Sequence, residues 1–125
     1  MLPLSETVND AMTAMYHALT TGNINWFKER VLYGPASIHI GTAPAYWMTS
    51  SQFLVELVRQ FNEMNVEWRT GGMTFQEEGA TAWAVDRPVV RFDDGSEIEC
   101  RLSVIFSRAS DRWQVAHSHL SIGAE

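Results

Sequence analysis

"SEIECRLSVIFSR", residues 96–108, decides the fold. Its even positions Ile98, Cys100, Leu102, Val104 and Phe106 are all apolar, while the odd positions include Glu97, Glu99, Arg101 and Ser103. Side chains alternate across a strand, so this period of two predicts one long β-strand whose even face lies on a core. The same kind of sequence surrounds it. Segments around 66–70, 72–77, 80–92 and 112–121 are rich in β-branched and aromatic residues, and "GG", "EEGA", "DDGS" and "ASDR" separate them as hairpin turns would. The second half of the chain therefore reads as an antiparallel meander.

The first half has a different period. From Ser5, read as an N-cap with Glu6 in the first turn, Val8, Met12, Met15, Tyr16 and Leu19 recur at helical spacing. Gly22 can end that helix in the left-handed conformation, and Asn23 can cap a second short one carrying Ile24, Trp26, Phe27 and Leu32 before Pro35. "SIHIG" (37–41) reads as a short strand and "GTAPAYW" (41–47) as a loop. Thr49 and Gln52 have capping-box spacing ahead of a helical stripe of Phe53, Leu54, Leu57, Val58, Phe61 and Met64. Helices gathered before a meander give an α+β domain in which a curved antiparallel sheet wraps its apolar face around three helical segments.

Composition narrows the function. The 125 residues suit a single domain, residues 1–125, and carry a formal charge of −6, which argues against nucleic acid and anionic membrane as partners. Cys100 is the lone cysteine, so neither an intrachain disulfide nor a cysteine zinc site is expected. "MLPLSETVND" has no basic leader and no stretch reaches the apolar length of a membrane span, so the expected setting is cytoplasmic. Nucleophile elbow, phosphate-cradling glycine loop and H-E-x-x-H helix are missing from the sequence, which removes the signatures of those hydrolases, kinases and metalloproteases.

Several strings, in order, resemble the SnoaL-like branch of the NTF2-like superfamily. "GTAPAYW" is similar to its G-T-x-P-x-x-W loop, "AWAVDRPVVRFDDGSEIECRLSVIFSR" (82–108) to its two long central strands with Arg101 and Ser103, and "WQVAHSHLSIG" (113–123) to its closing W-x-x-x-H-x-H-x-S strand. The resemblance implies an NTF2-like (cystatin-like) cone with a pocket between sheet and helices, usually dimeric. It leaves the activity open, because the superfamily includes ketosteroid isomerases, polyketide cyclases, dehydratases and the association domain of calmodulin-dependent kinase II.

The chemistry-bearing residues are few. His117 and His119 share one strand face and could be two metal ligands, but the third would have to be His39 or Asp86, and no spacing forces either to converge. The resembling families generally work without metal, so no cofactor is expected. Register decides what the pair does. If odd positions of the "RASDRW" hairpin face odd ones, His117 and His119 lie outside with Arg101, Ser103 and Ser121, and Trp113 and Val115 on that face would need a second subunit to cover them. If the turn is one residue tighter, the histidines join Leu102 and Val104 inside, where His117 is a candidate base. The first register is preferred.

Asp86 lies in the otherwise apolar "AWAVDRPVV", where a desolvated carboxylate could take a proton next to a carbonyl; the plainer alternative is that it caps an amide freed beside Pro88. Tyr16, Tyr46 and Trp47 are candidate donors to a developing oxyanion. Resembling isomerases place a catalytic tyrosine where Tyr16 falls, and Tyr46 and Trp47 look like a lip over a pocket mouth. Val104 and Leu120 align with arginines of the kinase hub pocket, which favours an apolar ligand. The expectation is a small-hydrophobic-molecule binding protein, with cofactor-free isomerase or cyclase chemistry by Asp86, Tyr16 or His117 as its enzymatic form. His39, Tyr46, Trp47, Arg101, Val104, His119 and Leu120 would contact the ligand. The alternative is a non-catalytic homo-oligomerisation module.

Overall fold

Helices start where a side chain can satisfy their free amides. In the computed structural model, which describes residues 6–109 and 111–123, α1 (Val8–Thr21) is capped by Thr7. Its hydroxyl accepts from the Asp10 amide at 3.1 Å, and the Asp10 carboxylate accepts from the Thr7 amide at 3.3 Å. The expected cap, Ser5, lies outside the described residues. Glu6 is not in the first turn; it precedes the helix, where it takes both guanidinium nitrogens of Arg30 at 2.8 and 2.9 Å and the Trp113 amide at 3.0 Å. Gly22 ends α1 at φ 71°, and Asn23 caps α2 (Ile24–Arg30), which stops short of Leu32. α3 (Ser50–Glu63) opens with the Thr49–Gln52 box. No helix among the described residues is long and apolar enough to cross a membrane.

The strands are β1 (Ile38–Ile40), β2 (Trp47–Thr49), β3 (Val66–Arg69), β4 (Thr74–Glu78), β5 (Thr81–Asp86), β6 (Val89–Phe92), β7 (Glu97–Ala109) and β8 (Arg112–Ile122). Their order is β2-β1-β8-β7-β5-β4, with β6 pairing the near end of β7 and β3 pairing β6. Two features depart from the expected meander. β1 runs parallel to β8, so the sheet is mixed; parallel neighbours need a crossover rather than a hairpin, and no turn motif announces one. The segment 80–92 is two strands, because Pro88 has no amide to give and the chain breaks at Arg87–Pro88. β5 thus pairs Ser107 to Leu102 and β6 pairs Glu99 to Glu97, so that β7 carries both halves of a curved, unclosed sheet.

One bulge sets which side chains face the helices. Beyond the hairpin Arg108 pairs with Trp113 and Phe106 with Val115, but Ile105 pairs with His117. The extra residue, Ala116, reverses the parity of β8. Trp113 and Val115 are therefore buried in the core beside Phe106, and Trp113 is not the outer-face residue it was expected to be. His117, His119 and Ser121 stand outside, opposite Ile105, Ser103 and Arg101. Each register weighed from the sequence holds over one half of the hairpin.

Candidate functional site

The inner face of the sheet, α1 and α3 do not meet completely. Between them lies an apolar cleft of two adjoining lobes, of about 110 Å3 and about 180 Å3, which share Leu19, Thr42, Gln60, Trp68 and Leu120. Met48, Phe53 and Leu57 complete the smaller lobe; Phe61, Val90 and Cys100 line the larger. Tyr46 closes the smaller lobe from the 41–46 turn, where a Cβ on Gly41 would stand 2.8 Å from the Tyr46 Cβ. The polar groups of the cleft are few, as in pockets that bind apolar molecules. Glu56 is one, held down to about 2 chiefly by its hydrogen bonds from Arg59 and further by Gln60 and Tyr46, against the opposing effect of partial burial. Ser118 is another.

Ser118 belongs to a buried chain of hydrogen bonds. His39 on β1 is 1% exposed and stacks on Phe53 at 4.3 Å. Its Nδ1 is 2.8 Å from the Ser118 hydroxyl, its Nε2 is 3.1 Å from the Ser50 hydroxyl, and Ser50 in turn donates to the Leu32 carbonyl. Burial, and secondarily the nearby His117, depress the His39 pKa to about 4, so the ring is neutral at pH 7.

Tyr16 and Asp86 meet on the far side of Trp68. The Tyr16 hydroxyl donates to Asp86 Oδ2 at 2.7 Å, and its ring stacks against Trp68 with centroids 6.1 Å apart. Burial first, then the carboxylate, push the Tyr16 phenol well above its ordinary pKa. Asp86 also accepts from the Thr70 hydroxyl at 2.7 Å and from the amides of Gly71 and Arg87 at 3.0 and 2.7 Å. Four donors occupy its two oxygens. The pair borders an open recess of about 630 Å3 between α1 and the 67–73 segment, to which Tyr16, Trp68 and Thr70 contribute.

The sequence pattern of the SnoaL-like domain matches residues 8–125. The chain belongs to that family. No curated protein matches it in sequence. Solved structures similar to this SnoaL-like domain include an NTF2-like protein of unknown function from Pseudomonas putida KT2440 (TM-score 0.79, 14% identity, covering 97% of this chain and 91% of that one). A proposed dehydratase of the NTF2-like family from Streptomyces avermitilis is similar at TM-score 0.76 and 17% identity, over 94% of each chain. A proposed calcium/calmodulin-dependent protein kinase II association domain from Xanthomonas campestris is similar at 0.71 and 15%, over 99% of this chain and 94% of that one. At such identities the likeness shows the fold alone.

Within this SnoaL-like domain the expected site residues separate into two groups. Tyr46 and Leu120 line the cleft, whereas His39 stands behind Ser118, out of its wall, and Tyr16 and Asp86 meet outside it. The others are corrected. Arg101 and His119 are exposed on the outer sheet face, Arg101 as an odd position of β7 and His119 through the parity change that the bulge imposes on β8. His117 is on that face too, its Nδ1 donating to the Ile38 carbonyl at 2.6 Å, so it cannot serve as a base inside the cleft. Trp47 points outward at 67% exposure because its neighbour Met48 takes the inward position of β2. Val104 is inward but sealed in the core, beneath the cleft rather than in its wall. Among the described residues no three His, Cys, Asp or Glu side chains gather as a metal would need. Sequence reading missed Ser50, Ser118, Glu56, Gln60 and Trp68. Ser118 had a signal: with His117 and His119 outside, the residue between them must face in.

Proposed function

We propose that this SnoaL-like domain binds a small, uncharged, largely apolar molecule in the cleft between α3 and the inner sheet face. The supporting observation is the two-lobed cavity itself, walled by Leu19, Leu57, Phe61, Trp68 and Leu120. Its one ionised wall residue, Glu56, is already paired with Arg59, so among the described residues the wall offers no free cation to an anionic ligand. The dehydratase likeness adds a reason to look for turnover, and the Tyr16–Asp86 pair is the place to look. Yet the Tyr16 proton is committed to Asp86, and Asp86 has no oxygen free of a donor, so this pair serves better as an anchor joining α1, β3 and β5 than as donor and base. Binding is the function we assign, and proton transfer next to a carbonyl is the chemistry to assay.

The test is a thermal-shift panel of neutral one- and two-ring compounds. Ligand at a hundred times its Kd adds about 2.7 kcal/mol, which for a domain of this size raises Tm by about 10 °C. Leu120→Trp, which fills the wall shared by both lobes, should keep the fold and remove the response. A panel without any response contradicts the assignment.

A second reading, self-assembly, has its own observation. Trp83, Val85 and Ile105 are about two-fifths exposed side by side on the outer sheet face, next to His117 and His119. An apolar cluster there suits a second copy of the chain, and it is compatible with a ligand inside the cone. The likeness to kinase association domains supports this reading as well.

A further inference from the structure

The hydrogen-bond chain behind the cleft has only one consistent direction. The Leu32 carbonyl can only accept, so Ser50 must give it its hydroxyl proton. Ser50 Oγ, its proton spent, accepts from His39 Nε2, which is therefore the protonated ring nitrogen. That leaves His39 Nδ1 as a bare lone pair, 2.8 Å from Ser118. The Ser118 proton must point at it, away from the cleft. Burial keeps the ring neutral, so the direction does not reverse near neutral pH.

Resting on the cleft as a binding site, we infer that Ser118 selects ligands bearing a hydroxyl group: an alcohol, phenol or enol. Ser118 lines the smaller lobe, its Oγ has only lone pairs left to offer a ligand there, and among the described residues His39 is its one side-chain partner. A carbonyl or ether presented to it would set two acceptors against each other, which costs free energy in an apolar site. A hydroxyl donates into it and extends the chain by one link. The other polar groups agree. One Gln60 N–H donates to Glu56, and the Glu56 carboxylate is a pure acceptor, so it adds a second acceptor in the wall beside Ser118. Nothing in the wall attracts an acidic alternative, because among the described residues its lining holds no Lys, Arg or His and its one carboxylate, Glu56, is already paired with Arg59.

The experiment compares 2-naphthol, its methyl ether 2-methoxynaphthalene and the ketone 2-acetylnaphthalene by calorimetric titration against the full chain. The wild type should bind the naphthol about five- to tenfold more tightly than either of the others. Ser118→Ala should bring the three affinities together while leaving the ether within about twofold of its wild-type value. Equal wild-type affinities, or a preference that survives in Ser118→Ala, overturn the inference and leave the cleft assignment standing. No binding of any of the three removes both. Nitrogen NMR of the unsubstituted protein supplies a check that needs no variant: His39 should carry its proton on Nε2, and a proton on Nδ1 refutes the direction of the chain.

Discussion

His39 gives a prediction whose size can be worked out. Its pKa is about 4 in the fold against 6.5 for an ordinary histidine, lowered by burial first and by the neighbouring His117 second. A depressed pKa means that the folded state disfavours the proton, so the unfolded chain binds more protons between these two values. The stabilisation is therefore complete above pH 6.5 and is lost as pH falls towards 4. Integrating the two titrations, the loss is about 2 kcal/mol between pH 7 and pH 5 and about 3 kcal/mol by pH 4. Carboxylates titrate in the same acidic range, so the measurement is a difference. Urea denaturation of the wild type and of His39→Gln at pH 7, 6 and 5 should show the wild type losing about 2 kcal/mol more than the variant between pH 7 and pH 5. Parallel pH dependences would refute the neutral, buried state of His39 and with it the orientation assigned to Ser118.

Asp86→Asn places an amide among four donors, so two of them lose their acceptor; the variant should be less stable by about 3 kcal/mol in chemical denaturation, with binding in the cleft unchanged when measured below its transition. Gly71→Ala should be destabilised by about 3 kcal/mol or more, because its Cβ would stand 1.9 Å from the Arg87 carbonyl oxygen, a backbone atom that cannot rotate away. Trp83→Glu combined with Ile105→Glu should convert any dimer to monomer in light scattering, with Tm shifted by no more than a few degrees; a dimer that persists removes the outer face as the assembly surface.

Local signals in the sequence read through to the structure where a few neighbouring residues decide the outcome. Gly22 at φ 71°, the Thr49–Gln52 box and the inward even face of β7 depend on residues within one turn or one strand. The turns at "EEGA" and "DDGS" do too, with Gly79 and Gly95 at φ 61° and 86°. What escaped depends on partners far along the chain. Ala116 bulges only because β8 must satisfy two registers of β7 at once, and that single residue decides whether Trp113 is covered by the core or by another molecule. The parallel pairing of β1 with β8 brings His39 to Ser118 across 79 residues, and no spacing rule reaches that far. Asp86 was conspicuous as a carboxylate in an apolar strand, but the sequence could not reveal that Thr70 and Gly71 arrive to satisfy it. The family likeness implied a pocket between sheet and helices; the contacts of Ser118 with His39 and of His39 with Ser50 came from tertiary structure.

The most direct measurement is an NMR titration of the isotope-labelled protein with 2-naphthol, following methyl and amide signals. Binding in the cleft should concentrate the shifts on Leu19, Leu57, Ser118 and Leu120, which wall it. Shifts confined to Trp83, Val85 and Ile105 on the opposite face, or no shifts at saturating ligand, would contradict it.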